Sequence, residues 1–161
     1  MKNLMVALEQ QLKLLEELHN LLKRETSELS EIHLDAMAEI NVQKEDISSR
    51  IATHAENLRA AIQEVASREG LSSKAALGEL AACFSKKGNR EVARFHAELN
   101  ATADKIKELL TLNGEIAERF SASVGNSLDF IARIINQTST YGASGSYQQR
   151  PSSAVLINRE A

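Results

Sequence analysis

Residues that could carry out covalent or metal chemistry are few in this chain and poorly spaced for it. Four His stand at positions 19, 33, 54 and 96, and no two are three or four residues apart, the separation that brings two imidazoles onto one helical face. The nearest approach to a metal motif is Glu16-Glu17-Leu18-His19, since a Glu and a His three residues apart recur in di-iron helical bundles. Such a centre needs two copies and two further Glu, and only one copy is present, so the fragment reads as a solvated helix face. Cys83 is the single Cys, which excludes an internal disulfide, and between Ala82 and Phe84 it reads as a small core residue. No Gly-rich phosphate loop follows a strand, and no Ser stands in a strand-turn-helix elbow. No catalytic residue, metal or cofactor is assigned, and the chain is expected not to be an enzyme.

Residues suited to binding are better represented. In Leu128-Asp129-Phe130-Ile131-Ala132-Arg133-Ile134-Ile135-Asn136 the apolar side chains fill more than one side of a helix, because Phe130 and Ile134 lie off the main stripe. Either another part of the chain covers this extra width, or it anchors an amphipathic helix from a partner. Further on comes Tyr141-Gly142-Ala143-Ser144-Gly145-Ser146-Tyr147. Tyr141 and Tyr147 there are solubilising linker residues, or Tyr141 is an aromatic anchor with Gly142 and Gly145 allowing close backbone approach. On the latter reading Ala154-Val155-Leu156-Ile157 would be a second, weaker anchor. The basic cluster Lys86-Lys87-Gly88-Asn89-Arg90 reads as cations at a helix C-terminus followed by a turn. Net charge is −3, aromatics make up 4% and Trp is absent, so neither a phosphate-binding stripe nor a base-stacking platform is expected. Nucleic acid is excluded as a partner.

The elements that must present these residues are helices. Three stretches place apolar residues at alternating steps of three and four, the period of a helical stripe packed on another helix. The first is Leu4, Leu8, Leu12, Leu15, Leu18 and Leu22, flanked by Leu14 and Leu21. A second runs Met37, Ile40, Lys44, Ile47, Ile51, His54, Leu58, Ile62, Val65, and the third continues from Val92 through Phe95, Leu99, Thr102, Ile106, Leu109, Asn113, Ile116, Phe120, Val124, Leu128 and Ile131 to Ile135. A helix from Arg90 to Asn136 would be about 70 Å long, which suits a rod or hairpin. Lys44, His54 and Asn113 interrupt the stripes, and inward polar residues of this kind fix register and partner number at some cost in stability.

The spacing predicts a first helix from Lys2 to Ser30 and a second from the cap Asp35 to Arg68, ended by Gly70. A short third helix is expected from Ser73 to Phe84, capped by Ser72 or Ser73, with Leu77, Leu80 and Phe84 inward. Asn89 should cap the last. The expected fold is all-α, an elongated antiparallel helical hairpin or bundle with coiled-coil packing, built from three long helices and one short helix. Residues 1–136 form the helical domain and 137–161 a flexible, partner-binding tail. No run of eighteen apolar residues occurs, so no membrane insertion is expected. The apolar patch at the N-terminus stops at Glu9, too short for a signal-peptide core, which points to the cytoplasm.

The Leu-rich first helix, the segment Glu39-Ile40-Asn41-Val42-Gln43-Lys44-Glu45-Asp46-Ile47, the long last helix and the following Thr140-Tyr141-Gly142-Ala143-Ser144-Gly145 together resemble the FlgN-type flagellar export chaperones. The resemblance covers nearly the whole chain, and the Tyr-Gly-x-x-Gly step is its most distinctive part. It implies a non-enzymatic cytoplasmic chaperone for the C-terminal helical regions of the hook-filament junction proteins. The chaperone would keep them from assembling prematurely and deliver them to the gate of the flagellar type III export system. Carried over to this sequence, Tyr141 would contact the cytoplasmic domain of the gate, with Gly142 and Gly145 as its setting. The alternative is a coiled-coil scaffold that self-associates into a homo-oligomer and has no client.

Overall fold

With apolar residues three and four apart and its one Pro at position 151, the chain has no reason to leave the helix except at a few turns. The computed structural model shows α1 (Lys2–Glu31), α2 (Leu34–Arg68), α3 (Leu77–Lys86) and α4 (Glu91–Thr138). It describes residues 1–72 and 74–138, and of 136–138 the backbone alone. No strand occurs among the described residues.

Three helix ends close in the same way. A residue with positive φ follows the last helical turn, and the next backbone N–H reaches back five residues to an orphan carbonyl. At the end of α2 the residue is Gly70 (φ 73°), with Leu71 N donating to Ala66 O at 2.9 Å. At the end of α3 it is Gly88 (φ 83°), with Asn89 N donating to Phe84 O at 3.0 Å. At the end of α1 the position is taken by Ile32 (φ 59°), and His33 N donates to Glu28 O at 3.1 Å. Asn89 Oδ1 then accepts from Glu91 N at 3.0 Å and so serves the first turn of α4, as expected.

Two expected caps are different in the structure. Asp35 does not cap α2; the helix starts two residues earlier, His33 holds the cap position without a side-chain bond, and Asp35 lies within the first turn. A carboxylate there still meets the positive end of the helix dipole favourably. The third helix begins at Leu77 rather than at Ser73, and its N-cap is Ala76. The reason is local: Ser72 Oγ accepts from Lys74 N at 3.2 Å and Ser72 O from Ala75 N at 2.9 Å, a turn that competes with helix initiation. Ser73 itself lies outside the described residues.

The chain forms two units, Met1–Ala117 and the part from Glu118 onward. In the first, α1 and α2 are antiparallel, because Glu25 meets Lys44, Glu17 meets Arg50 and Ala7 meets His54. α4 runs alongside α1 in the same direction: Val92 and Leu99 share a core with Leu4 and Leu8, whereas Asn113 meets Leu22 and Glu25. The short α3 adds Leu80, Ala81 and Phe84 to that core, which also holds Val65 and Ala66 of α2. Leu4, Leu8, Leu22, Ile40, Leu80 and Val92 are fully buried, each worth about 1.5–3 kcal/mol relative to exposure. Leu14, placed by its spacing on the flank of the first stripe, is buried as well. In the second unit, α4 continues as a single helix through Thr138.

Candidate partner-binding surface

Along α4 the same heptad rhythm meets two environments. In the first unit Val92, Leu99, Ile106 and Asn113 are buried, and Phe95, Thr102, Leu109 and Ile116, at the alternate positions, are half-buried. In the second unit Phe120 is half-buried, and every residue from Ser121 to Ile135 is exposed. Five apolar residues in that segment, three on the stripe and two beside it, have about half or more of their surface accessible: Leu128 58%, Phe130 64%, Ile131 51%, Ile134 45% and Ile135 62%. Val124 is exposed too.

At about 100° per residue, Val124, Leu128, Ile131 and Ile135 fall within one narrow sector, and Phe130 and Ile134 extend it to an arc of about 160°. Glu118, Asn126, Asp129 and Arg133 occupy the opposite face. This is the chemistry of a docking face: wide enough for side chains of a second helix to interdigitate, bordered by charges that keep it in solution. Exposed apolar patches of this kind mark interaction sites more often than they mark nothing.

The polar residues on the stripes are used within the first unit. Asn113 Nδ2 donates to Glu25 Oε2 at 2.8 Å and to Leu22 O at 3.0 Å. Thr26 Oγ1 lies 2.6 Å from Asn113 Oδ1 and 3.0 Å from Leu22 O, so its one proton serves either. The second Glu25 oxygen accepts from Lys44 Nζ. Glu25 and Asn113 are the two buried polar side chains among the described residues, and both have their groups satisfied. A single layer therefore joins α1, α2 and α4 in one register. His54 Nε2 donates to Ala7 O at 2.8 Å, which fixes its tautomer and ties α2 to α1 a second time.

The remaining fragments behave as surface. Glu17 Oε2 accepts from Arg50 Nη2 at 2.9 Å, so the neighbour of Glu16 in the metal-like fragment belongs to an ion pair between helices. No three His, Cys, Asp or Glu side chains gather as a metal site among the described residues. Lys87, at the end of α3, is paired with Glu69, whose hydrogen bond and charge raise the pKa of the ammonium above its ordinary value. Cys83 is half-buried. Among the described residues no helix is long and apolar enough to cross a membrane.

Of the site residues expected from sequence, Phe130 and Ile134 thus stand on one exposed apolar face. Tyr141, Gly142, Gly145 and Tyr147 lie outside the described residues. Glu25 and Thr26 were not singled out from the sequence, although Glu25 continues the first stripe at the step Leu22, Glu25, Leu29 and could have been found there.

A comparison with protein families adds one finding: the model described as FlgN protein matches residues 1–149. The chain belongs to the FlgN family. The match spans all four helices and runs past Tyr147, so it includes both the three-helix polar layer and the exposed stripe. Membership makes this FlgN-family protein one of a family of flagellar export chaperones. No curated protein and no solved structure matches it.

Proposed function

We propose that this protein binds the C-terminal helical regions of the flagellar hook-filament junction proteins on the apolar face of α4 from Val124 to Ile135. It holds them unassembled in the cytoplasm and presents them to the cytoplasmic domain of the type III export gate. The observation that carries the proposal is the apolar arc through Leu128, Phe130 and Ile131, exposed on a regular helix in a member of this family.

The mechanism is physical, with no covalent step. A client helix alone in water exposes its own apolar stripe and tends to associate. Laid against α4, it buries that stripe at about 25 cal/mol per Å² of apolar surface, less the cost of ordering two partners. Phe130 and Ile134 widen the face and supply the anchors, since a few large side chains carry most of the energy at such contacts. Tyr141 meets the export gate, with Gly142 and Gly145 permitting close approach and Tyr147 as a second aromatic contact. Client and gate thereby use separate residues, and capture need not be undone before delivery begins.

The same face could receive a second copy of the chain, as the continuing heptad would allow. Hydrogen exchange of the full-length protein separates the two. Addition of a C-terminal segment of a junction protein is expected to slow amide exchange across residues 121–135. Protection already present without client, rising with protein concentration and unchanged by the segment, would favour the self-associating scaffold instead.

A further inference from the structure

We propose a second docking site, independent of the α4 face: a groove in the first unit that takes a two-turn, acidic amphipathic helix from a partner protein. It is a cavity of about 740 Å³ bounded by α1, α2, α4 and the start of α3. Leu15, Leu58, Ile62, Leu77 and Leu99 line it. On α2 the lining runs from Ala55 to Gln63 and on α4 from His96 to Ala103, lengths of about 12 Å and about 10 Å. That is room for two helical turns, hence for two large apolar side chains three or four residues apart.

Two observations define the occupant. The first is charge. In a protein with 22 acidic and 19 basic residues, no carboxylate lines this groove, whereas Arg59 and Lys74 do. Arg59 pairs with Glu56 at 2.8 Å, but both side chains are mostly exposed, and a surface pair of that kind is readily exchanged for one with a ligand. The rim therefore favours Glu or Asp beside the apolar pair.

The second is Gln11. It lines the groove, and its Oε1 is buried with no hydrogen-bond partner, the one such side-chain atom found among the described residues. An unmade bond at a buried acceptor is a cost the free protein carries. On binding, the carboxamide would turn Oε1 toward the groove, where an N–H donor on the incoming helix completes the bond. Gly78 keeps this space open from the α3 side, since a methyl group there would lie 3.4 Å from the His96 ring.

The test uses the full-length protein and a fluorescein-labelled helical peptide of about twelve residues, long enough for two turns and fraying ends. It carries two Leu four residues apart, an Asn beside them and Glu at the flanks; a twin has Lys in place of each Glu. Saturable binding by anisotropy is expected for the Glu peptide, about tenfold weaker for the twin and about tenfold weaker in Lys74→Glu. The decisive variant is Gln11→Met, which removes the unmade bond. It should melt at a higher temperature than the parent and yet bind the Glu peptide about fivefold more weakly. No saturable binding, equal binding of the twins, or unchanged affinity in Gln11→Met would overturn the proposal. So would sedimentation showing a dimer that Lys74→Glu dissociates, because the groove would then hold a second copy. None of these results bears on the face from Val124 to Ile135.

Discussion

Ile32 occupies a left-handed position where the other two helix ends of the same form use Gly, and for a β-branched side chain that backbone costs about 1–2 kcal/mol. Its side chain is exposed and gains little from packing in return. Ile32→Gly is therefore expected to stabilise the protein by up to about 1 kcal/mol, part of the relief being lost to the greater freedom of Gly when unfolded. Urea denaturation should show a higher midpoint with an unchanged slope; a lower midpoint would mean that the conformation is not strained. Asn113 is the opposite case. It serves Glu25, Leu22 and Thr26 at once, so Asn113→Ala should cost about 2–3 kcal/mol, measured in the same way. The sequence made Lys44 and Asn113 legible because each breaks an apolar stripe. Their common partner Glu25 was legible only as the step between Leu22 and Leu29 on the first stripe, and a Glu in a charged stretch draws no notice until a fold brings Asn113 to it. Gln11 was equally silent: an unsatisfied atom is a property of surroundings, and spacing does not reveal it.

At the scale of the element, helix type and number follow from periodicity alone, and the ends follow from Gly70, Gly88 and Asn89. Of the two misplaced starts, that of α2 is off by two residues, and that of α3 belongs to a segment where Ser72 turns the backbone before the apolar spacing can take hold. The polar layer sets how α1, α2 and α4 engage. Replacing Glu25, Lys44 and Asn113 together by Leu removes the desolvated charges and their bonds in one step. We expect stability to be unchanged or higher, as buried ionic groups often cost more than the apolar residues that replace them. The loss should be in specificity: sedimentation of the triple variant is expected to show mixed association states where the parent shows one. A single state, with stability lowered by several kcal/mol, would instead make the layer a source of stability.

For the whole molecule, one regular helix has a stripe that is buried or half-buried in the first unit and exposed in the second beyond Phe120. The sequence made the stripe visible along its full length, but not the point at which it changes environment, because exposure depends on what packs against it. The division of labour proposed between client and gate assigns the gate to the residues after α4. A chain ended after Asn136, and the variant Tyr141→Ala in the full chain, are expected to keep client affinity within about twofold while binding of the gate's cytoplasmic domain falls about tenfold or more, as loss of an aromatic anchor does. Pull-down with the purified gate domain checks this, and equal loss of both activities would place the client on the tail instead.

The most direct measurement is calorimetric titration of the C-terminal segments of hook-filament junction proteins into the intact protein and into Phe130→Glu, with far-UV circular dichroism recorded on both. The account predicts saturable binding to the intact chain and a loss of about tenfold or more in the variant, helicity being unchanged because position 130 is exposed. Equal binding by the two, or no binding to the intact chain by segments shown to be soluble and competent, would contradict it.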